Sequence, residues 1–442
     1  MLNGNHADTL EAICIRGTDL TVRTGDQTFS GVESSFVALD FLAGLKVLDL
    51  GQGISAPFCA KMFSDLGAQV IKVEPPGGDA ARKMGPFPGD VPDSEKSGIF
   101  LALNTNKRGI TLNLETETGR EMLLQLAQQA DLLVENFTPS YLPGLGLNFQ
   151  IFQESNPNLV LTSVTPFGQT GPWANYLASN LVICNLSGHS REHPGPVEDL
   201  ESQPPLQLAA HQSEFIAGLA AATASILALN RRRVQGTGCH VDVSGMESLA
   251  VLLQTTLAEF SLNQMVKGRS KREYGRQSLL ALLPCRDGYV GISPRQQDQW
   301  ERMVELMDRP NWASDPRFAT RDSRLENWSD LEPLLAAWTR DLGKEDIYRR
   351  CQSVHIPSFP MNTAADLFQS AQFTARSFFT KADHPVAGKQ SYPGWPFHLG
   401  SGKQVELSPA PLLGQDNQEV LGEVGLGLSD QQLLTLRAGN VL

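Results

Sequence analysis

The sequence predicts an α/β protein with a parallel, doubly wound sheet over roughly residues 43 to 170. Short apolar runs of strand length alternate with helical segments, and several of these runs end in glycine or proline turns. The run DLLVENF is apolar over most of its length, which is typical of a buried strand. In folds of this kind, ligands bind beyond the carboxyl ends of the strands.

The first βαβ unit is predicted between residues 45 and 79. LKVLDLGQG is a strand that ends in glycines, SAPFCAKMFSDLGA is a helix closed by Gly67, and AQVIKVEPPGGD is the second strand. A strand that runs into a glycine turn and a helix N-terminus suits a phosphate or nucleotide group. GQGIS does not match GxGxxG, so a dinucleotide fingerprint is not supported.

The alternation continues through three more predicted strands. RGITLNLE is followed by the helix TGREMLLQLAQQA, then by DLLVENF, a further helix and LVLTSVTPFG. The strand ends where a ligand is expected are residues 51–55, 74–79, 136–138 and 165–168.

A long alanine-rich helix is predicted from Leu206 to Leu229, followed by the basic cluster at residues 231–233. Because it is apolar on every face, we expect it to be buried. Its one acidic residue, Glu214, stands at the front edge. Local pattern leaves two interpretations open: a first-turn acid that complements the helix dipole, or a nucleophile or base held ionised by that dipole.

The later part of the chain predicts a smaller α+β unit. GTGCHVDVS is a turn and a strand, ESLAVLLQTTLAEFSLNQMV is a helix, and LLALLPCRDGYVGISP is a hairpin followed by helices to about Cys351. The basic segment from Lys267 to Arg276 is either a linker or lid, or a solvated surface loop. We expect the C-terminal tail to rejoin the first domain.

Composition restricts the function. The 442 residues carry a formal net charge of −12, which argues against nucleic-acid binding and against binding to an anionic membrane. We identify no apolar run approaching the ~20 residues of a membrane span, and no signal-peptide order at the N-terminus, so we expect a cytoplasmic protein. The six cysteines form no CxxC pair, so neither a metal site nor a disulfide framework is expected.

Several segments, taken in order, resemble the class III CoA-transferases, the family of formyl-CoA transferase and carnitine CoA-transferase, with the acyl-CoA racemases as relatives. The segments are LKVLDLGQGISAPFCAKMFSDLGAQVIKVEPPGGD, NTNKRGITLNLETETGRE, ADLLVENF, SVTPFGQTGPW, GTGCHVDVS, IPSFPMNTAADL and PAPLLGQDNQEVL. The resemblance runs from about Leu45 to the C-terminus and excludes the first 42 residues.

The resemblance implies a Rossmann-like large domain made from both chain ends, a smaller inserted domain, and an interlocked dimer of two chains. The corresponding division is an N-terminal extension at 1–42, a large CoA-binding domain at 43–235 and 366–442, a linker helix at 236–265 and a small domain at 266–365. The partner chain would be a second copy or a homologous subunit.

The resemblance also implies a covalent mechanism, with acyl-CoA and a carboxylic acid as substrates and CoA as a substrate moiety rather than a tightly bound cofactor. A carboxylate attacks the thioester to give a mixed anhydride, and the thiolate then forms an enzyme thioester from which the acceptor acid collects CoA. The family nucleophile is an aspartate four residues before a glycine at the start of the alanine-rich helix. In this sequence Glu214 stands there, four residues before Gly218.

The resemblance places the CoA-contacting positions of the family at Ile54, Ser55, Leu112, Asn113, Leu114, Asn136, Phe137, Thr138, Leu177, Ala178, Ser179 and Asn180. Pro75, Gly144 and Leu177 stand where formyl-CoA transferases have arginine or lysine. Lys72, Arg82, Lys107 and Arg108 remain as candidate cations for the CoA phosphates, with surface charge as the alternative for Lys107 and Arg108. The family's glycine-rich lid falls near residues 267–276, where this chain has Gly268 and Gly275.

These positions leave several functions open. The first is an active CoA-transferase with Glu214 as the nucleophile, and the second is a non-catalytic partner subunit of a heteromeric CoA-transferase. A third is a CoA-ester binding or lyase module. A racemase is not favoured, because its acid–base histidine and the following aspartate are Ser179 and Asn180 here, so proton abstraction lacks its second base.

Overall fold

The computed structural model describes residues 40–193, 199–266, 268, 281–398 and 407–442. The predicted N-terminal extension up to residue 39 and the predicted lid, apart from Gly268, lie outside the described residues. The strands are β1 Lys46–Asp49, β2 Gln69–Glu74, β3 Lys107–Thr111, β4 Leu132–Glu135, β5 Val160–Thr165, β6 His240–Ser244, β7 Ala281–Cys285, β8 Gly288–Ile292, β9 Ser358–Pro360, β10 Phe379–His384 and β11 Gly388–Pro393.

Helices fill most of the connections between these strands. They are α1 Ser55–Ser64, α2 Gly98–Leu103, α3 Glu117–Ala127, α4 Tyr141–Gly144, α5 Phe149–Ser155, α6 Asn180–Leu186, α7 His189–Glu192, α8 Gln212–Gln235, α9 Gly245–Ala250, α10 Gln254–Asn263, α11 Gln297–Leu306, α12 Arg321–Glu326, α13 Trp328–Thr339, α14 Lys344–Ser353, α15 Ala364–Gln369, α16 Ala371–Ala375, α17 Asn417–Leu421 and α18 Asp430–Ala438. Short 3₁₀ turns occur at Asp40–Leu42, Ala80–Lys83, Pro88–Asp90, Val251–Leu253, Asn311–Ser314 and Pro316–Phe318.

The main sheet has six parallel strands in the order β3-β2-β1-β4-β5-β6. This confirms the predicted parallel α/β fold. The chain order reverses between the adjacent strands β1 and β4, so the loops that follow these two strands diverge and leave a crevice at their carboxyl ends. The smaller antiparallel sheets are β7-β8-β9 and β10-β11, and the first of them contains the predicted hairpin.

Hydrophobic cores cover both faces of the main sheet, because successive side chains on a strand point to opposite faces. Leu48 and Leu133 pack into one core with α3, α5 and α18. Their neighbours Val47 and Val134 pack into another core with α1 and α8. The middle residues of β1 and β4 are therefore apolar and buried on both faces, which is the pattern that predicted DLLVENF as a buried strand.

A separate hydrophobic core lies between residues 281 and 356, around buried Trp300, Phe318 and Leu331. The C-terminal tail packs instead onto the main sheet, where Leu433 and Leu442 join the core that contains Leu48. The proposed division into domains stays a prediction.

The alanine-rich helix differs from its prediction in two ways. α8 begins at Gln212 rather than Leu206, and one side of it is open in the single chain: Leu219, Leu227 and Val234 are 52%, 64% and 83% exposed. The expectation of a helix buried on every face is therefore wrong for the single chain. The opposite side packs on α1 and on the main sheet, where Ala221 and Ser225 are buried.

Within the described residues, α8 is also the one helix long and apolar enough to cross a membrane, judged by length and composition alone. The sequence-based expectation that no run approaches this length is corrected accordingly. The reason is that alanine and glycine lengthen a moderately apolar segment without adding charge.

The predicted helix after β6 is broken into α9 and α10 by a 3₁₀ turn at Val251–Leu253. Val251, Thr255 and Thr256 are β-branched, and such side chains crowd the preceding turn of an α-helix. This local weakness in helix propensity accounts for a break at that point.

Candidate active site

A cleft of about 310 Å³ opens at the carboxyl ends of β1, β4, β5 and β6, where the strand order reverses. Its walls are the loops after these strands, the segment before α6 and the first turn of α8. The described lining residues are Gln52, Gly53, Ile54, Ser55, Met84, Asn136, Phe137, Thr138, Pro139, Val164, Thr165, Pro166, Ala174, Tyr176, Leu177, Ala178, Ser179, Ile183, Ser213, Glu214, Ala217 and Gly245.

Glu214 provides the one carboxylate among the described residues that line the cleft. It lies in the first turn of α8, and its side chain is 33% exposed. The Ser213 hydroxyl lies 3.4 Å from Glu214 Oε2 and donates to it. The N-terminal N–H groups of a helix carry partial positive charge, which stabilises an anion at this position.

A close contact between two helices places the first turn of α8 in the cleft wall. A Cβ added at Gly218 would come within 2.5 Å of the Ser55 carbonyl oxygen of α1, so only glycine allows this approach. One turn away, the rings of Phe58 and Phe215 meet edge to face with centroids 4.9 Å apart. The spacing between Glu214 and Gly218 therefore follows from packing as well as from chemistry.

The chain enters α8 through an unusual backbone conformation. Ala210 and His211 both have positive φ angles, 53° and 59°. Residues other than glycine rarely have a positive backbone φ, and each such residue costs of order 1–3 kcal/mol. Asn180 supports it, since its Oδ1 accepts from Ser213 N–H at 3.0 Å while its Nδ2 donates to the Leu208 carbonyl at 2.6 Å.

The strained turn brings an imidazole to the carboxylate. His211 Nδ1 lies 3.5 Å from Glu214 Oε1, and the His211 side chain is 41% exposed. The family resemblance pointed to position 179, which is a serine here, as the place for a histidine, and His211 was not predicted. The signal was the i, i+3 spacing of His211 and Glu214 at the start of a helix, which brings side chains together.

The loop after β1 is held rigidly from the β4 side. Asn136 donates to the Gln52 carbonyl at 2.7 Å and to Ser55 Oγ at 3.2 Å, and its Oδ1 accepts from Gln52 N–H at 2.8 Å. These bonds fix the N-terminus of α1 beside the cleft. Predicted residues Ile54, Ser55, Asn136, Phe137, Thr138, Ala178 and Ser179 all line the cleft, as does Leu177.

Glu135 lies directly behind this wall, at the end of β4. It is buried, and its Oε2 accepts from Phe137 N–H at 2.7 Å. Burial raises the pKa of Glu135 to about 7; the nearby Asp242 carboxylate adds to this, whereas hydrogen bonds from Ser163 and from Phe137 N–H oppose it. Reasoning from the sequence did not single out this residue, because DLLVENF resembles any buried strand.

Three of the four predicted cations are buried away from the cleft. Lys72 contacts Asp79 at 2.7 Å and donates to the Gly51 carbonyl, and Lys107 contacts Asp49 at 2.8 Å. Burial acts to lower the pKa of Lys72, but the carboxylates of Asp49 and Asp79 outweigh it and raise the pKa. Burial lowers the pKa of Lys107 to about 8 although Asp49 acts in the opposite direction.

Arg82 completes this buried cluster. It forms a bidentate pair with Glu74 at 2.7 and 2.9 Å, contacts Glu95 at 2.8 Å and lies over the ring of Phe100. Because Gly53 N–H donates to Asp79, the cluster holds the loop after β1 from below. The cations shape the cleft wall and do not line the cleft.

The remaining predicted positions lie elsewhere. Arg108 is 41% exposed and pairs with Glu419 on the tail, and Leu112 is a core residue. Asn113 Nδ2 donates to the Asn440 carbonyl, which anchors the C-terminus, and buried Leu114 is part of the same core. Asn180 lies behind the wall and supports the first turn of α8. No group of three or more potential metal ligands occurs within the described residues.

Comparison with known proteins gives one consistent family. The family model described as CoA-transferase family III matches residues 42–417. The BbsE subunit of succinyl-CoA:(R)-benzylsuccinate CoA-transferase from Thauera aromatica is 34% identical and covers 86% of this chain and 93% of its own length. Formyl-CoA:oxalate CoA-transferase from Streptomyces avermitilis is 30% identical, with 91% and 99% coverage.

A solved structure also has this fold. The CAIB/BAIF family protein from Brucella suis superposes with a TM-score of 0.77 at 28% identity, and the match covers 87% of this chain and 99% of that protein.

Proposed function

Because this chain belongs to CoA-transferase family III, we propose that it moves coenzyme A from an acyl-CoA donor to an organic acid, with Glu214 as the nucleophile. The observation that carries the proposal is the position of the Glu214 carboxylate. It is partly exposed at the N-terminus of α8 and lines a cleft at the switch point of a parallel sheet.

The chemistry uses Glu214 twice. Its carboxylate oxygen attacks the thioester carbonyl carbon, a C–O bond forms, the C–S bond breaks and CoA leaves as the thiolate. The thiolate then attacks the glutamyl carbonyl of the mixed anhydride, which releases the donor acid and leaves a glutamyl-CoA thioester. The acceptor carboxylate repeats the sequence in reverse and leaves as its CoA ester, so each step exchanges bonds of similar reactivity.

The protein's own groups position these reactants. The α1 N-terminus at Ile54 and Ser55, together with Asn136, Phe137 and Thr138, forms one wall for the CoA moiety, and Ala178 and Ser179 form the other. The free N–H groups at the start of α1 favour a phosphate or carboxylate oxygen. Lys72, Arg82 and Lys107 act indirectly by fixing the loop that ends at Ser55.

We further propose that the functional unit is a dimer with a second, homologous chain. The open side of α8 presents Leu219, Ile226, Leu227 and Val234, which recur at helical spacing on one face. The exposed apolar side chains of the next helical segment are Val251, Leu252, Leu257, Phe260, Leu262 and Met265. Exposed apolar side chains gathered on one face support this proposal, because a homologous chain packed there would remove them from water.

Trapping of the intermediate tests the nucleophile. The purified chain is incubated with succinyl-CoA or formyl-CoA, the donors named in its relatives, and then with hydroxylamine, and the peptide containing Glu214 is examined by mass spectrometry. A hydroxamate at Glu214 supports the proposal. An unmodified Glu214 combined with measurable CoA transfer by this chain would show that another group is the nucleophile.

One observation favours a second candidate, a non-catalytic partner subunit: the relative from Thauera aromatica is itself a named subunit. Under this alternative the chain alone transfers no CoA, and activity appears when a homologous chain is added while Glu214 stays unmodified. The same mass-spectrometry measurement on the mixture separates the two candidates.

A further inference from the structure

The mechanism above does not use the imidazole of His211. It lies 3.5 Å from Glu214 Oε1, both side chains are partly exposed, and of the two Glu214 lines the cleft. The described lining residues include neither a lysine, an arginine nor a histidine. His211 is the basic group that the described part of the chain holds against the Glu214 carboxylate.

Backbone hydrogen bonds fix the position of residue 211 at the start of α8. The His211 carbonyl accepts from Glu214 N–H at 3.0 Å and from Phe215 N–H at 3.2 Å, so His211 begins the hydrogen-bonding of α8. The positive φ angles at Ala210 and His211 turn the chain sharply just before the helix. Strained backbone of this kind persists only where surrounding contacts enforce it, and it is concentrated at functional sites.

We propose that His211 is the acid–base group for the CoA thiol, an inference that rests on Glu214 being the nucleophile. When Glu214 attacks the thioester carbonyl carbon, the C–S electron pair leaves with sulfur next to the attacking carboxylate, which the His211 ring contacts. The His211 imidazolium donates its proton to the thiolate, giving the thiol and a neutral imidazole.

The return step reverses the transfer. Neutral His211 removes the thiol proton as sulfur bonds to the glutamyl carbonyl carbon, and the anhydride C–O bond breaks to release the donor carboxylate. The imidazolium is regenerated and no oxidant or further reactant is needed. Acid–base assistance of this kind contributes typically 10²–10⁴-fold to a rate.

The test replaces the imidazole and keeps the backbone. His211→Asn suits the purpose because asparagine tolerates positive φ. His355→Asn is the matched control. His355 is exposed and has a positive φ of 58°, and it belongs to the segment 281–356, which has its own hydrophobic core. Full-length proteins are mixed with succinyl-CoA in two sets of samples. In one set a thiol reagent traps and measures the CoA thiol released in a single turnover, and in the other, without the reagent, mass spectrometry detects the Glu214–CoA adduct.

We expect His211→Asn to slow thiol release and adduct formation by about 10²-fold or more, with the concentration of succinyl-CoA giving half-maximal rate changed less than about threefold. Added imidazole restores at least tenfold, and His355→Asn matches the wild type. A purely structural role would not respond to imidazole. Adduct formation by His211→Asn at the wild-type rate, or a loss that imidazole does not restore, overturns the inference alone. Absence of the adduct in the wild type, with transfer still measurable, overturns the proposed function and the inference with it.

Discussion

Charged side chains are arranged in two contrasting ways around the main sheet. The carboxylates of Asp49 at the end of β1, Glu74 at the end of β2 and Asp79 in the following loop are buried. They pair with the cations of Lys72, Lys107 and Arg82. The open cleft lies at the carboxyl ends of β1, β4, β5 and β6, and it is lined by Glu214 with neither a lysine nor an arginine among its described lining residues. One group of charges is buried and paired, and the other is a single carboxylate in an open cleft.

A position near the strand ends therefore does not by itself identify a cation as ligand-binding. Burying a charge is costly unless it is paired, so each interior carboxylate of the buried group recruits a cation. A cation recruited in this way has no capacity left for a phosphate. The open cleft, in contrast, leaves its carboxylate partly exposed beside helix N–H groups and an imidazole.

The largest expected effect is on activity at the cleft. Glu214→Gln removes the proposed nucleophile and keeps the shape of the side chain, so we expect the rate of CoA transfer to fall by roughly 10⁴-fold or more. The free energy of unfolding should change by less than about 0.5 kcal/mol, because the side chain is partly exposed. Glu247→Gln, an exposed first-turn acid of α9, is the control and should keep both quantities. Equal activity loss in both variants would remove the distinction between the two acids.

The next effect is on stability, in the buried group of paired charges. Lys107→Met leaves the Asp49 carboxylate buried without its 2.8 Å partner, and we expect urea unfolding to show a loss of about 3–5 kcal/mol. Arg108→Met is the matched control one residue later, because its pair with Glu419 is exposed and contributes less than about 1 kcal/mol. If instead the folded Lys107→Met protein kept its stability and lost affinity for acyl-CoA, Lys107 would be a substrate-binding residue.

The smallest effect concerns Glu135, the buried carboxyl behind the cleft wall. Its pKa is raised from 4.5 to about 7, so between those values the unfolded chain loses this proton while the folded chain keeps it. The contribution of this residue to the free energy of unfolding therefore falls by roughly 3 kcal/mol as the pH rises from about 4.5 to 7, and it is level at higher pH.

Glu135→Gln should remove that slope and gain stability relative to wild type at pH 8, measured by urea unfolding across the pH range. Glu154→Gln, an exposed carboxyl on α5, controls for the loss of a surface charge. A wild-type slope retained in Glu135→Gln would assign the pH dependence to other groups.

Local patterns were sufficient for the parallel strands and for the position of Glu214 at the front of α8. β1, β4 and β5 are apolar runs that end in turn residues, and Glu214 is the one acid at the front of an alanine-rich helix. They were not sufficient for Lys72, Lys107 and Arg82, whose role depends on carboxylates 7 to 58 residues away in sequence. A linear pattern contains no information about which charges become neighbours after burial.

Local sequence patterns were enough for the α/β class and for the places of the main strands along the chain, because hydrophobic periodicity and turn residues act over a few positions, and ordered motifs were enough for the family. Tertiary packing decided the sheet order, the burial of Lys72, Lys107 and Arg82 as internal partners, the contact of His211 with Glu214, and the open side of α8. These outcomes depend on how helices and strands distant in the chain pack, since packing determines which polar groups lose water and which partners they find.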